Sequence, residues 1–177
     1  MSMTDRELWA VIHGLVLGTL FLLAFAGGLA ELYSLRTEWV TAAGIKERVR
    51  RLISGNWIMA VVAWLTCFTG TYIVYPWYRA APPEGQTELV DFPRYFLLAD
   101  EALKAWHTFG MEWKEHVAWF SPLLATAVAY VVWRYRDRLS SDSQLRNMLI
   151  VLFVLAFVAA GVAGLFGAFI TKAAPVA

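Results

Sequence analysis

The chain has 177 residues, of which 59% are hydrophobic and only 16% are charged, whereas soluble domains average about 45–50% apolar and 25% charged residues. A globule of this size buries only about 70% of the surface of its unfolded chain, so this composition excludes a water-soluble fold. The formal net charge of +1 gives no sign of a nucleic acid partner. The single cysteine, Cys67, excludes an internal disulfide and every CxxC-type motif.

Four stretches are long and apolar enough to cross a bilayer, which takes about 20 residues each. They cover residues 8–33, 52–78, 111–135 and 146–171. The first stretch begins after Asp5, Arg6 and Glu7 and lacks the basic start of a signal peptide, so we interpret it as a retained span. The sequence therefore predicts an all-α membrane protein with one transmembrane domain, 1–177, built as a four-helix up-down bundle.

The basic residues indicate how the spans are oriented. Nine of the fifteen lie between spans one and two or at the turn between spans three and four: Arg36, Lys46, Arg48, Arg50, Arg51, Arg134, Arg136, Arg138 and Arg146. Connections rich in Lys and Arg stay in the cytoplasm. We therefore expect both termini on the outer, periplasmic side of a bacterial-type inner membrane.

The connection between spans two and three has a helical pattern of its own over residues 92–110. Apolar and charged residues alternate there at helical spacing: Phe96, Leu97, Leu103 and Trp106 against Asp100, Glu101 and Lys104. Such a pattern is typical of an amphipathic helix. We expect this segment to lie on the outer membrane face or against a partner protein.

The histidines carry the main chemical signal, because ionisable side chains in a bilayer are costly and usually functional. His13 lies 18 residues before Glu31, and His116 lies 18 residues before Arg134. Both imidazoles are then about 27 Å from the inner boundary, at one depth near the outer face. Two neutral imidazoles on facing helices can hold a haem iron from both sides. His107 is either an alternative ligand or an interfacial histidine without a ligand role.

Small residues in the outer halves of the spans leave room for a planar cofactor such as a haem. These residues are Gly14, Gly18, Gly70, Gly161 and Gly164. The same spacing also allows bare transmembrane helices to pack closely, so this alternative stays open. Arg79 and Lys114 are candidate partners for haem propionates at the outer surface.

With four spans and His13 and His116 on the first and third, the chain resembles the small four-helix b-type cytochromes of respiratory and photosynthetic complexes. This resemblance implies a haem b held by two histidines in an electron-transfer subunit rather than a stand-alone enzyme. Electrons would pass between a periplasmic donor and quinone or another subunit of the complex. One alternative is a cofactor-free structural or assembly subunit of a larger membrane complex. A second is a quinone- or pigment-binding membrane subunit.

Overall fold

A computed structural model describes residues 3–174, and within this range every regular element is helical. The helices are α1 (Asp5–Ser34), α2 (Ala42–Arg79), the short α3 (Pro93–Ala99), α4 (Trp106–Arg134) and α5 (Ser143–Ala173). All four long helices have the length and apolar composition needed to cross a membrane. The chain is therefore an integral membrane protein, as its composition predicts.

Helices α1 and α5 begin where a side chain can satisfy the first backbone N–H groups. Thr4 and Glu7 form a reciprocal capping box at the start of α1, with Glu7 N donating to Thr4 Oγ1 at 3.2 Å and Thr4 N donating to Glu7 Oε2 at 2.7 Å. Asp142 accepts from Leu145 N at 2.9 Å before α5. Helix α2 begins at Ala42, ten residues before the predicted span, so its first turns carry four of the five basic residues of that connection.

The segment predicted as one amphipathic helix over 92–110 forms two pieces. Helix α3 ends where Asp100 turns the chain, and the Asp100 carboxylate accepts from the backbone N–H of Ala102 at 2.8 Å. Leu97 of α3 is completely buried in a cluster with Tyr78, Met111 and Ile170. The apolar side of α3 is therefore covered by helices of the same chain.

The chain divides into two compact units. The first unit contains the described parts of Met1–Gly18, Leu65–Trp119 and Ala160–Ala177, and the second contains Thr19–Trp64 and Phe120–Ala159. Each of the four long helices contributes residues to both units.

The core of the second unit is built on stacked phenylalanine rings. Phe25 stacks on Phe157 and Phe153, with ring centroids 4.1 and 5.1 Å apart. Phe153 is completely buried, and the hydroxyl of Thr126 accepts a hydrogen bond from the indole of Trp64 at 3.0 Å. Because lipid is as apolar as these side chains, close packing and the interhelical hydrogen bond stabilise this unit, rather than exclusion of water.

Arg146 has a structural role in the connection that leads into α5. Its side chain is buried, and Nη1 donates to the carbonyls of Leu139 and Ser140 at 2.7 and 2.8 Å. The guanidinium thus satisfies two backbone acceptors that follow α4. This arginine contributes to the predicted basic connection and also holds its backbone in place.

We expect Gly28→Ala to destabilise the protein, because a Cβ at Gly28 would lie 2.6 Å from the ring of Phe153, whose stacking on Phe25 leaves it little space to move. Overpacking of this kind costs about 1–3 kcal/mol. Gly27→Ala is the matched control, since a Cβ there meets nothing within 4 Å and both variants share the gain in helix propensity. Thermal unfolding in detergent, followed by circular dichroism, should show a lower midpoint for Gly28→Ala alone. Equal midpoints would contradict the packing described here.

Candidate functional site

All three histidines of the chain lie in the first unit, and each lies in a π-helical turn. His13 belongs to the turn Val11–Val16, His107 to Trp106–Met111 and His116 to Trp113–Val117. A π turn accommodates one extra residue, is rare, and occurs frequently at functional sites. Helix α2 carries a fourth such turn, Gly70–Val74, whose first residue faces His13. The irregular backbone of the first unit therefore coincides with its histidines.

His13 is oriented by a hydrogen bond to α2. Its Nδ1 lies 3.1 Å from Thr69 Oγ1, and the Thr69 hydroxyl donates to the carbonyl of Leu65 at 2.8 Å. The hydroxyl oxygen therefore accepts from His13 Nδ1–H, which leaves Nε2 as the basic nitrogen. The imidazole lies directly over Gly70, where a Cβ would come within 2.7 Å of the ring. The space at Gly70, predicted to clear a haem, is occupied by the imidazole of His13.

His116 has the same tautomer but a more open position. Its Nδ1 donates to the carbonyl of Glu112, one turn earlier on the same helix, at 3.0 Å, and the Glu112 carboxylate lies 3.5 Å away. The side chain is 71% exposed. As in His13, Nδ1–H is engaged by an oxygen and Nε2 is the basic nitrogen. A carbonyl or hydroxyl partner on the second nitrogen is the usual surrounding of a metal-binding histidine.

Helices α2 and α4 run antiparallel in the first unit, and their register gives the level of each histidine. Cys67 Sγ lies 3.9 Å from the carbonyl of Ala118, and Tyr78 Oη lies 2.8 Å from His107 Nδ1. Eleven residues separate the two contact points on each helix. Counting two residues from the contact between Cys67 and Ala118 places His116 near the level of Thr69. Since Thr69 also bonds His13, the two predicted ligands lie at one level.

His107 lies at a different level, nine residues along α4 from His116. It is half-buried, and its ring packs against buried Tyr78 with centroids 5.9 Å apart. The 2.8 Å bond between Tyr78 and His107 links α2 to α4. This histidine therefore has a structural contact that His116 lacks.

The remaining predicted residues have separate surroundings. A Cβ at Gly14, Gly18 or Gly164 would meet nothing within 4 Å, so these three positions are open, and Gly161 is half-buried. Lys114 donates to the carbonyl of Ala163 at 3.2 Å, with its ammonium over Gly167. Arg79 is exposed and donates to the hydroxyl of Tyr75 at 2.8 Å. Of the two predicted propionate partners, Arg79 is open to an anion and Lys114 is engaged with α5.

Sequence reasoning missed Thr69, Glu112 and Tyr78 as partners of the three histidines. Glu112 had a readable signal, because it precedes His116 by four residues and therefore shares its helix face. Thr69 had only the general signal of a hydroxyl within a span, which is typical of hydrogen bonding between helices. Tyr78 had none, since the partner in such a bond depends on how each helix is rotated about its axis.

Comparison with protein-family models, with curated proteins and with solved structures finds no match to this chain. The function proposed below therefore depends on the geometry of the first unit.

Tyr78→Phe should lower stability by about 1 kcal/mol, because it removes the hydroxyl that bonds His107. Tyr72→Phe is the matched control on the same helix, since Tyr72 is 71% exposed. Chemical or thermal unfolding in detergent measures the difference. A Tyr78→Phe protein as stable as Tyr72→Phe would show that the bond between α2 and α4 contributes nothing to the fold.

Proposed function

We propose that this chain is a membrane-embedded electron-transfer subunit that holds a haem b through His13 and His116. The observation that carries the proposal is the shared arrangement of the two histidines. Each has Nδ1–H engaged by an oxygen, from Thr69 or from Glu112, and each is left with Nε2 as its basic nitrogen. The register of α2 and α4, which brings both histidines to one level, supports the pairing.

The residues of the first unit fit a haem in further respects. Gly18 is half-buried and has open space where a side chain would begin, and a macrocycle needs backbone without side chains beside it. Arg79 offers an exposed guanidinium for an anionic group. A haem b, when bound, supplies one-electron oxidation and reduction at its iron.

The protein's own groups then have distinct tasks. His13 and His116 supply the two nitrogen lone pairs. Thr69 and Glu112 keep the Nδ1 proton of each ring in place, which fixes ring orientation and makes the ligand nitrogen more basic. Gly70 admits the imidazole of His13 against α2. None of these tasks requires the side chain of His107.

The proposal includes an orientation in a bacterial-type inner membrane. The connections after α1 and α4 carry the basic residues and are assigned to the cytoplasm, and the connection between α2 and α4 to the periplasm. Both termini are then periplasmic, although residues 1–2 and 175–177 lie outside the described range. Permanent partners would be other membrane or periplasmic subunits, for which α1 offers exposed apolar side chains such as Leu15, 65% exposed, and Leu23, 66% exposed.

A cofactor-free structural subunit is the second candidate. It is favoured by the bond between His107 and Tyr78, in which a histidine of this chain joins two helices without any ligand. In that case the bond from His13 to Thr69 would have the same purpose.

A reduced-minus-oxidised visible spectrum of the purified full chain separates these candidates. We expect the sharp alpha band of a haem b with two imidazole ligands, lost in His13→Ala and in His116→Ala. His107→Ala is the matched control and should keep the band, since His107 lies nine residues along α4 from His116 and bonds to Tyr78. Far-ultraviolet circular dichroism checks that each variant is folded.

Two outcomes would contradict the proposal. A folded protein from intact membranes without any haem band would favour the cofactor-free subunit. Loss of the band in His107→Ala, with the band retained in His116→Ala, would show that the second ligand is wrong.

Thr69→Val tests the positioning of His13, because valine keeps the shape of threonine but cannot accept a hydrogen bond from Nδ1–H. We expect haem affinity to fall by about 10–100-fold and the midpoint potential to rise, since a less basic imidazole stabilises the oxidised iron less. Thr171→Val is the control, because its hydroxyl bonds to Gly167 on its own helix. Haem titration and a redox titration give the two readouts. An unchanged potential would mean that Thr69 has only a packing role.

A further inference from the structure

The second unit contains a groove between α1 and α2 with a volume of about 500 Å³, within the range of about 300–1,000 Å³ that is usual for ligand sites. Its apolar part is lined by Leu23, Ala24, Gly27 and Gly28 of α1 and by Leu52 and Gly55 of α2. Along α1 the groove extends from Leu23 to Ser34, or about 16 Å at helical rise.

The apolar walls of the groove are set back because glycine lines both sides. A Cβ at Gly27 or Gly55 would meet nothing within 4 Å. The floor at Gly28 is different, since a Cβ there would strike the ring of Phe153. The groove therefore has a closed floor and open sides, the shape needed to hold a chain of methylene groups.

The other end of the groove is polar and lies where α1 ends. It is formed by Glu31, Ser34, Arg48 and Arg51, two cations and one anion. Arg48 Nε lies 3.9 Å and Arg51 Nε 3.6 Å from the Glu31 carboxylate, longer than direct hydrogen bonds. The Glu31 carboxylate orients both guanidiniums through Nε. Arg51 Nε also lies 3.8 Å from the Glu47 carboxylate, which pairs with Arg50 at 2.8 Å. Three arginines and two glutamates thus leave this end with one surplus positive charge.

An anion completes this arrangement. One monoanionic phosphate would bring the polar end to neutrality, and guanidinium groups bind phosphate oxygens through paired N–H donors. A free phosphate would leave the apolar part of the groove without a ligand, and a neutral quinone would leave the surplus charge uncompensated. An amphipathic anion satisfies both ends at once.

We infer that the groove between α1 and α2 binds one anionic phospholipid, with its phosphate at Arg48 and Arg51 and an acyl chain along Gly27 and Gly55. Basic pockets between transmembrane helices are known to bind acidic lipid headgroups. Five basic and two acidic residues in the segment 36–51 favour the approach of such a lipid. This inference is independent of the haem proposal, since it concerns residues of the second unit alone.

The experiment is native mass spectrometry of the full chain, purified in detergent, delipidated and titrated with phosphatidylglycerol or, in parallel, phosphatidylcholine. We expect one molecule of phosphatidylglycerol to bind to each chain, and to bind more tightly than phosphatidylcholine. Arg48→Gln and Arg51→Gln should each weaken its binding about tenfold, the effect of losing one charge-assisted contact. Arg50→Gln is the matched control, because this variant removes the same charge from α2 at a side chain that is 76% exposed and does not line the groove.

The apolar part of the groove is tested separately. Gly27→Leu places a side chain in the open space and should abolish lipid binding, whereas Gly164→Leu, at an equally open glycine of α5, should leave it unchanged. Circular dichroism verifies the fold of each variant. If Arg48→Gln does not fold because it also loses the bond to Ser34, Arg51→Gln and Gly27→Leu decide the question.

Four results would overturn the inference. Equal weakening in Arg50→Gln would mean that only diffuse surface charge attracts the lipid. Equal binding of phosphatidylcholine would remove the role of the headgroup charge. Displacement of the lipid by millimolar inorganic phosphate would indicate a simple anion site. A quinone that copurifies with the protein and is lost in Gly27→Leu would identify a different ligand.

Discussion

The interior of a bilayer offers no water to polar groups, and this constraint governs the structure of the chain. Backbone N–H and C=O groups must bond within the protein, so the four apolar stretches form helices. The same constraint acts on side chains, which explains why His13 bonds to Thr69, Lys114 to a carbonyl of α5 and Trp64 to Thr126. These three side chains thus link one helix to another, and their partners define how the helices are rotated.

The π turns show how the histidines are brought to those partners. One extra residue in a turn rotates every later side chain by about 100° relative to a regular α-helix. In α1 the turn Val11–Val16 surrounds His13, and in α2 the turn Gly70–Val74 begins at the glycine beneath it. The close approach of the imidazole to α2 needs the glycine at position 70, because any larger residue there would strike the ring.

Much of this architecture can be predicted from the sequence, because length and hydropathy are local properties. The four spans appear where the apolar runs lie, and the Thr4–Glu7 capping box is readable as a pattern. The surroundings of the site are harder to predict from the sequence. A regular 3.6-residue period cannot locate π turns, so it cannot show that Gly70 faces His13 or that His116 is exposed. The division of residues 92–110 at Asp100 was also hidden, since the apolar period continues across a turn that one carboxylate stabilises.

The proposed haem ligands and the proposed lipid site share one physical principle, although they lie in different units. In each, one part of a side chain is used to fix its orientation and another part is left for a ligand. Nδ1–H of His13 and His116 bonds to an oxygen of the chain while Nε2 stays basic. Arg48 and Arg51 approach Glu31 through Nε, and their guanidiniums keep further donors at the end of the groove.

Orientation of a side chain before binding lowers the entropy lost when a ligand arrives. A membrane helix gains from this more than a soluble one, because a polar group without either partner would be costly in lipid. Groups of this kind, with one half engaged and the other open, are therefore the places where we expect a membrane protein to bind a ligand.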